Sequence, residues 1–263
     1  MSNTCSTTPS AKILAMAGKG GTGKTTLAAL LIRYLRETRR IPVLAVDADA
    51  NANLNELLGV SVETTLGEIR DRMKTETPSG MTKSDFMEMH INRAIIEENG
   101  YDLLVMGQPE GPGCYCMANS ILAQVMESLA RGYRFLLVDN EAGMEHLSRL
   151  NLRRIHTLFV ISDASSRGVL TAVRIADLTR SLGVEVGQKV LIVNRAPETL
   201  PASLEEQVLQ AVEKTDLVFG GHVPMSREIF EYESDRRSLL ELPPDTLALK
   251  VAYQIFDRAL ADS

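Results

Sequence analysis

The 263-residue sequence contains no tryptophan and only three cysteines. So few cysteines, in an odd number, cannot form a disulfide framework, which favours a reducing compartment. Long apolar runs are also missing: the longest is Leu27 to Ile32, whereas a membrane-spanning helix needs roughly 20 residues. Residues 1–10 lack the basic start and the apolar centre of a signal peptide. We therefore expect a cytoplasmic protein with no membrane partner.

The sequence has no excess of basic side chains. The 28 lysines and arginines are outnumbered by 34 aspartates and glutamates, which gives a net charge of −6. Nucleic-acid binding normally requires a basic stripe that neutralises phosphates, so we expect no nucleic-acid partner. No stretch rich in Pro, Gly or Ser divides the chain. We interpret residues 1–10 as a flexible tail and residues 11–263 as a single domain.

What the sequence does contain is a regular alternation of short apolar runs with one-sided helical patterns. Such runs are typical of strands buried on both faces of a parallel sheet. The pattern predicts an α/β fold with a doubly wound, mainly parallel sheet of about seven strands. The predicted strands are Lys12–Ala17, Pro42–Val46, Asp102–Met106, Arg134–Val138, Thr157–Ile161, Lys189–Val193 and Leu217–Val223. The clearest predicted helices are Thr25–Arg36, Ser120–Arg131, Ser166–Leu182 and Leu247–Leu260, and Glu76–Lys83 is a predicted loop.

A glycine-rich loop joins the first predicted strand to the first predicted helix. Its sequence satisfies the phosphate-binding pattern G-x-x-x-x-G-K-[ST] in the strand–helix context that the pattern requires. Backbone amides of such a loop cradle phosphate oxygens, and the following helix adds the positive end of its dipole. We expect Lys24 to reach the β- and γ-phosphates and the Thr25 hydroxyl to ligate Mg²⁺. The predicted P-loop site comprises Gly18, Lys19, Gly20, Gly21, Thr22, Gly23, Lys24, Thr25 and Thr26.

Lys19 is a second lysine in a P-loop whose phosphate-binding lysine is Lys24. With this lysine the P-loop resembles the deviant Walker A motif of the ATPase class that contains MinD, ParA-type partition ATPases, the arsenite pump ATPase and the nitrogenase iron protein. The resemblance implies that two copies of the chain form a homodimer with nucleotide between them. It also implies that Lys19 contacts the phosphates bound by the partner and takes part in catalysis with Lys24.

Three carboxylates follow predicted strands. The strand Pro42–Val46 runs into Asp47 and Asp49, and the strand Arg134–Val138 ends in Asp139, which is the Walker B pattern. The same resemblance implies that Asp49 orients or activates the attacking water. It places Asp47 near the magnesium ion, so we expect Mg²⁺ to be held by Thr25, Asp47 and Asp139. The class often has a proline after the second aspartate, where this chain has Ala50.

The residues after the strand Lys189–Val193 favour adenine as the base. A guanine site of the Asn-Lys-x-Asp kind would place a carboxylate at position 197, which is Pro197 in this chain. The resemblance implies that Asn194 pairs with the edge of adenine, and we expect Arg195 and Pro224 at the nucleotide as well. The predicted cofactors at this site are therefore ATP and Mg²⁺.

Cys114 and Cys116 lie one residue apart in a Gly-Pro-Gly setting. Two thiolates are half of the four-ligand set that a soft metal ion usually takes, and a two-fold dimer would supply the other half. Buried structural cysteines and a redox-active pair are the alternative interpretations.

Together, Gly111–Cys116, Asp47–Gly59 and Asp139–Leu147 resemble the CooC-type accessory ATPases that mature nickel carbon monoxide dehydrogenase. The resemblance implies ATP-dependent delivery of nickel to apo carbon monoxide dehydrogenase by a nucleotide- and metal-dependent dimer. It also implies that the four thiolates of the dimer hold Ni²⁺, for which Zn²⁺ could compete. A maturation ATPase for acetyl-CoA synthase and an iron–sulfur electron-transfer ATPase like the nitrogenase iron protein are the alternatives. A positioning ATPase that acts on membrane or DNA would need a basic surface that the sequence does not indicate.

Overall fold

A computed structural model of the protein describes residues 11–108, 116–140 and 154–261. In this part of the chain, eight strands form one sheet with the order β3-β4-β2-β5-β1-β6-β7-β8. Neighbouring strands are parallel except β3 with β4, so the doubly wound, mainly parallel fold is confirmed. The strands are β1 (Lys12–Gly18), β2 (Val43–Asp47), β3 (Ile96–Glu98), β4 (Tyr101–Val105), β5 (Phe135–Asp139), β6 (Arg154–Asp163), β7 (Glu185–Ala196) and β8 (Leu217–Pro224).

Helices cover both faces of this sheet, and each face has its own buried apolar cluster. Adjacent residues of β6 show the alternation: Phe159 belongs to one cluster and Val160 to the other. The helices of the Phe159 face are α1 (Lys24–Glu37), α2 (Leu54–Leu58), α8 (Arg227–Ser234) and α9 (Leu247–Ala259). Those of the Val160 face are α3 (Leu66–Glu76), α4 (Lys83–Ala94), α5 (Cys116–Ala130), α6 (Ser166–Ser181) and α7 (Ala202–Lys214). Among the helices of the described residues, none is long and apolar enough to cross a bilayer.

The sheet contains all seven predicted strands and one more. The additional strand is β3, which is short, lies at the edge of the sheet and exposes Glu97 and Glu98. A charged, short edge strand has no apolar run for a sequence pattern to detect, and its charges discourage pairing with another chain. The predicted loop from Glu76 to Lys83 is also present, since α3 ends at the first of these residues and α4 begins at the second.

The strand order brings the predicted site residues to one edge. β5 lies between β1 and β2, and the carboxyl ends of all three parallel strands meet there. In register, Asp139 of β5 is paired with Asp47 of β2 on one side and with Met16 of β1 on the other. The P-loop follows β1 directly, so loop and carboxylates lie at the ligand-binding edge that open parallel sheets use.

The packing of α9 on the sheet is testable through Phe159, whose fully buried ring lies 5.7 Å from the ring of Phe256, centroid to centroid. Phe159→Ala leaves a cavity, so we expect the free energy of unfolding to fall by about 3–5 kcal/mol in urea denaturation. The control, Phe230→Ala, truncates an exposed ring and should change it by less than about 0.5 kcal/mol. Equal losses in both variants would contradict this packing.

Candidate functional site

Two glycines determine how closely the P-loop approaches the neighbouring strands. Gly23, immediately before α1, has a φ of 84°, and a Cβ there would lie 2.3 Å from Nδ2 of Asn194. A Cβ on Gly18 would lie 2.3 Å from the carbonyl oxygen of Ile161 on β6. A side chain at either position would therefore push the loop away from β6 or β7, so glycine is required at both.

Side chains within the P-loop bind its own backbone. The carbonyl oxygen of Lys19 accepts hydrogen bonds from Thr22 Oγ1 at 2.9 Å and from Lys24 Nζ at 3.2 Å. Thr22 and Lys24 are buried, whereas the side chain of Lys19 is exposed. The Lys24 ammonium thus already lies over the loop, within reach of the space where backbone amides would hold phosphate.

The residues after β7 hold the loop from the other side. Asn194, which is buried, donates from Nδ2 to the carbonyl oxygen of Thr22 at 2.8 Å. Arg195 donates from Nη1 to the carbonyl oxygen of Gly21 at 3.2 Å and has a φ of 53°, which is unusual for a residue with a side chain. Because these bonds occupy carbonyl oxygens, the loop is ordered before any anion binds.

Asp47 and Asp139 are fully buried neighbours with different hydrogen bonding. Asp47 accepts the backbone N–H of Asp49 at Oδ1, at 3.0 Å, and that of Leu54 at Oδ2, at 2.9 Å. Neither carboxylate oxygen of Asp139 has a hydrogen-bond partner among the described residues. The Thr25 hydroxyl nevertheless lies near enough to Asp139 to favour its charged form.

Burial raises the pKa of Asp139 from 3.8 to about 7, and the charges of Asp47 and Asp49 add to the rise. The Thr25 hydroxyl and the Lys24 ammonium lower that pKa in part. Burial likewise raises the pKa of Asp47 to about 6, against the lowering effect of the backbone N–H groups of Leu54, Asp49 and Asn53. The buried Asp139 carboxylate beside the Thr25 hydroxyl is a donor set of the hard oxygen type that Mg²⁺ prefers.

Asp49 lies in the loop after β2 and is partly buried. Its Oδ1 accepts the backbone N–H of Asn51 at 2.9 Å, and its carbonyl oxygen accepts that of Ala52 at 3.1 Å. These bonds orient the carboxylate at the same sheet edge as the P-loop. The role of Asp49 in activating water and that of Lys19 in a partner's site stay predictions.

A cleft of about 740 Å³ opens beside the P-loop, between β7, β8 and α8. Its volume is within the range of small-molecule sites. The three residues predicted at the nucleotide beyond the P-loop, Asn194, Arg195 and Pro224, all line this cleft. The structure thus brings together the residues that the sequence placed at the base.

The cleft also has lining residues that sequence reasoning missed. They come from the segment after β8 and include Met225, Phe230 and Glu233. Glu233 Oε1 accepts a hydrogen bond from Thr26 Oγ1 of the P-loop at 2.7 Å, which ties α8 to α1. The available signal was the pair of large apolar side chains, Met225 and Phe230, which are 73% and 68% exposed, but only the fold shows that they face one cleft.

The sequence from residue 13 to residue 239 matches the family described as the CobQ/CobB/MinD/ParA nucleotide binding domain. The match spans the P-loop, all three aspartates and the cleft. The chain belongs to this family. As a member of the CobQ/CobB/MinD/ParA family it is a nucleotide-binding P-loop protein, in agreement with the geometry of its loop.

Three proteins that are similar to this chain carry different names. An uncharacterized ATP-binding protein of Methanocaldococcus jannaschii is 40% identical over 254 residues, which are 94% of this chain and 98% of that protein. The carbon monoxide dehydrogenase accessory protein CooC of Rhodospirillum rubrum is 29% identical over 186 residues, 65% of this chain and 70% of CooC. The septum site-determining protein MinD of Pyrococcus horikoshii OT3, in complex with Mg-ADP, has the same fold, with a TM-score of 0.70, 21% identity and coverage of 95% and 97%.

Of the two predicted cargo-metal ligands of this CobQ/CobB/MinD/ParA family member, one lies within the described residues. Cys116 is the first residue of that helix, and Cys114 lies outside the described residues. Within the described part of the chain, no three His, Cys, Asp or Glu side chains are grouped as metal ligands. The cysteine site therefore stays a prediction.

The buried Asp139 predicts how the stability of the ligand-free protein depends on pH. Its pKa is about 7 in the native state and 3.8 ordinarily, so between these values only the native state holds the proton. The free energy of unfolding should therefore fall as the pH rises from about 5 to about 7, by up to about 1.4 kcal/mol per unit, and level off above.

In Asp139→Asn the free energy of unfolding should lose most of its dependence on pH. The dependence that remains comes from other titrating groups, including Asp47. Urea denaturation of both proteins at several pH values measures the difference. Identical slopes for wild type and Asp139→Asn would contradict the raised pKa of Asp139 in the native state.

Proposed function

We propose that the protein hydrolyses ATP at the carboxyl edge of its sheet. The observation that carries this proposal is the buried Asp139 carboxylate, which lies beside the P-loop with no hydrogen-bond partner among the described residues. Asp139 and the Thr25 hydroxyl would hold Mg²⁺. When bound, that ion supplies positive charge that offsets the negative charge of the phosphates.

The chain's own residues then have distinct tasks in hydrolysis. The P-loop amides and the Lys24 ammonium bind and neutralise the β- and γ-phosphates. Asp49 accepts a hydrogen bond from the attacking water and so orients it toward the γ-phosphate. The exposed Lys19 reaches the phosphates held by a second copy of the chain, which makes hydrolysis depend on a homodimer.

The hydrogen bond of Asn194 supports adenine over guanine. Because Nδ2 donates to the Thr22 carbonyl, the side-chain amide cannot turn over without losing this bond, so Oδ1 is the acceptor that Asn194 would offer a base in the cleft. An acceptor oxygen pairs with the amino group of adenine and repels the carbonyl oxygen of guanine. Pro224 and Phe230 add apolar surface against which a base could pack.

We expect kcat/KM for ATP to exceed that for GTP by about tenfold or more, since the wrong base leaves Oδ1 of Asn194 unpaired. Asn194→Ala should reduce this ratio to below about threefold. Phe230→Ala is the matched control. Because the ring would pack on either base, its loss should lower kcat/KM for ATP and for GTP by the same factor. Steady-state hydrolysis of both nucleotides measures the ratios. Equal turnover of ATP and GTP by the wild type would contradict the adenine assignment.

The finer part of the proposal is that hydrolysis drives delivery of nickel, as the substrate metal, to apo carbon monoxide dehydrogenase. The 29% identity with CooC and the closely spaced Cys114 and Cys116 support it. Two cysteine pairs, one from each chain, would complete a four-ligand site on the dimer axis. Acetyl-CoA synthase is the alternative recipient, since a related accessory ATPase would carry the same motifs.

A metal titration followed by light scattering tests the shared site. We expect one Ni²⁺ or Zn²⁺ for about every two chains, with a doubling of mass, because each chain supplies two of four thiolates. Cys114→Ala and Cys116→Ala should abolish both effects, and Cys5→Ala should change neither. Binding should weaken as the pH falls, because protons compete for the thiolates.

One metal per chain without a change of mass, or full binding by Cys114→Ala, would contradict the shared site. A second measurement identifies the recipient. The nickel-loaded protein with ATP and Mg²⁺ is mixed with apo carbon monoxide dehydrogenase or with apo acetyl-CoA synthase, and the activity of each enzyme is followed. If only apo acetyl-CoA synthase is activated, that enzyme is the recipient of the nickel. An iron–sulfur absorbance in protein purified without oxygen would instead favour electron transfer.

A further inference from the structure

We propose that Asp47 is not a magnesium ligand but a positioning residue, which fastens the loop that carries Asp49 in the geometry needed for hydrolysis. This inference rests on the proposed ATPase function, and it changes the role that the sequence predicts for Asp47. It concerns the segment from Ala48 to Leu54, called here the fastened loop.

The hydrogen bonds of Asp47 bracket the fastened loop at both ends. Oδ1 accepts the N–H of Asp49, two residues on, at 3.0 Å, and Oδ2 accepts the N–H of Leu54, seven residues on, at 2.9 Å. One carboxylate thus closes the loop on the end of β2. Leu54 begins α2 and is fully buried, so the far end of the loop is tied to the core as well.

The fastened loop contains a left-handed residue and internal hydrogen bonds, and both require that the loop keep one conformation. Ala52 has a φ of 51°, a left-handed conformation that costs free energy in a residue with a Cβ. Asp49 accepts the N–H of Asn51 at Oδ1 and that of Ala52 at its carbonyl oxygen. The direction of the Asp49 carboxylate therefore depends on the loop conformation, which in turn depends on the two bonds of Asp47.

The comparison with Asp139 separates the two roles. The residues are register partners on neighbouring strands, and both are fully buried. Asp139 has no hydrogen-bond partner among the described residues, as expected for a group that awaits a cation. Each oxygen of Asp47 already has a backbone donor. Direct ligation of a cation by Asp47 would have to use the remaining lone pairs of oxygens that already accept backbone N–H groups, and it would compete with those bonds.

The test is the isosteric change Asp47→Asn, which keeps one acceptor oxygen and replaces the other by an NH₂ group that faces a backbone N–H. We expect kcat for ATP hydrolysis to fall on the order of tenfold to a hundredfold, because Asp49 is misplaced. The KM for ATP and the Mg²⁺ concentration for half-maximal activity should change by less than about twofold. Asp139→Asn should instead raise the half-maximal Mg²⁺ concentration severalfold. Glu56→Gln, which removes an exposed carboxylate from α2, is the control for loss of one negative charge.

A second readout needs no activity. Amide hydrogen exchange of the ligand-free protein should become faster in Asp47→Asn at Asp49 and Leu54, while amides in the centre of the sheet keep their wild-type rates. Uniformly faster exchange, with kcat unchanged in the folded fraction, would reduce Asp47 to a structural residue and overturn the proposal. A half-maximal Mg²⁺ concentration that rises as much as in Asp139→Asn would make Asp47 a metal ligand and overturn it equally.

These outcomes are distinct from failure of the proposed function. A wild-type protein that hydrolyses no ATP would contradict the ATPase proposal, and the exchange rates at Asp49 and Leu54 would then decide on the fastened loop by themselves. The wild type could also hydrolyse ATP while Asp47→Asn has the same kcat and the same exchange rates. That result would support the ATPase proposal and contradict the positioning role of Asp47.

Discussion

The cost of keeping negative charge at one edge of the sheet governs the rest of the site. Parallel pairing places Asp139 and Asp47 side by side in full burial, where a carboxylate without a partner is expensive. Backbone N–H groups satisfy Asp47, whereas the Asp139 oxygens have no hydrogen-bond partner among the described residues, with the Thr25 hydroxyl and the Lys24 ammonium favouring their charge. Under the proposed function, a bound cation with its nucleotide would offset this cost of burying charge.

Two loops convert this charge arrangement into a site for one nucleotide. Asn194 and Arg195, after β7, donate to two carbonyl oxygens of the P-loop, and both residues line the cleft where we propose that the base binds. The loop after β2 carries Asp49 and is closed by Asp47. In the proposed function, base recognition and hydrolysis would therefore both depend on the backbone around the phosphates.

Sequence patterns were sufficient for the parts of the fold and site that depend on local order along the chain. Apolar runs mark β2 and β5, so Asp47 and Asp139 are predictable as strand-end carboxylates. The charged β3 has no apolar run, and α8, which brings Phe230 and Glu233 to the cleft, is only eight residues long, too short for a helical pattern to stand out. The different hydrogen bonding of the two aspartates is invisible to any pattern, because it depends on whether backbone amides of a later loop turn toward one carboxylate.

We propose that ATP and Mg²⁺ close a homodimer through Lys19 and that hydrolysis, for which Asp49 orients the water, opens it. The most direct measurement is the mass of the protein by light scattering at saturating ATP and Mg²⁺, for wild type, Asp49→Asn and Lys19→Ala. Asp49→Asn should bind ATP without hydrolysing it and remain a stable dimer, and Lys19→Ala should be a monomer that still binds ATP. A monomeric Asp49→Asn protein, or a dimeric Lys19→Ala protein, would contradict the claim.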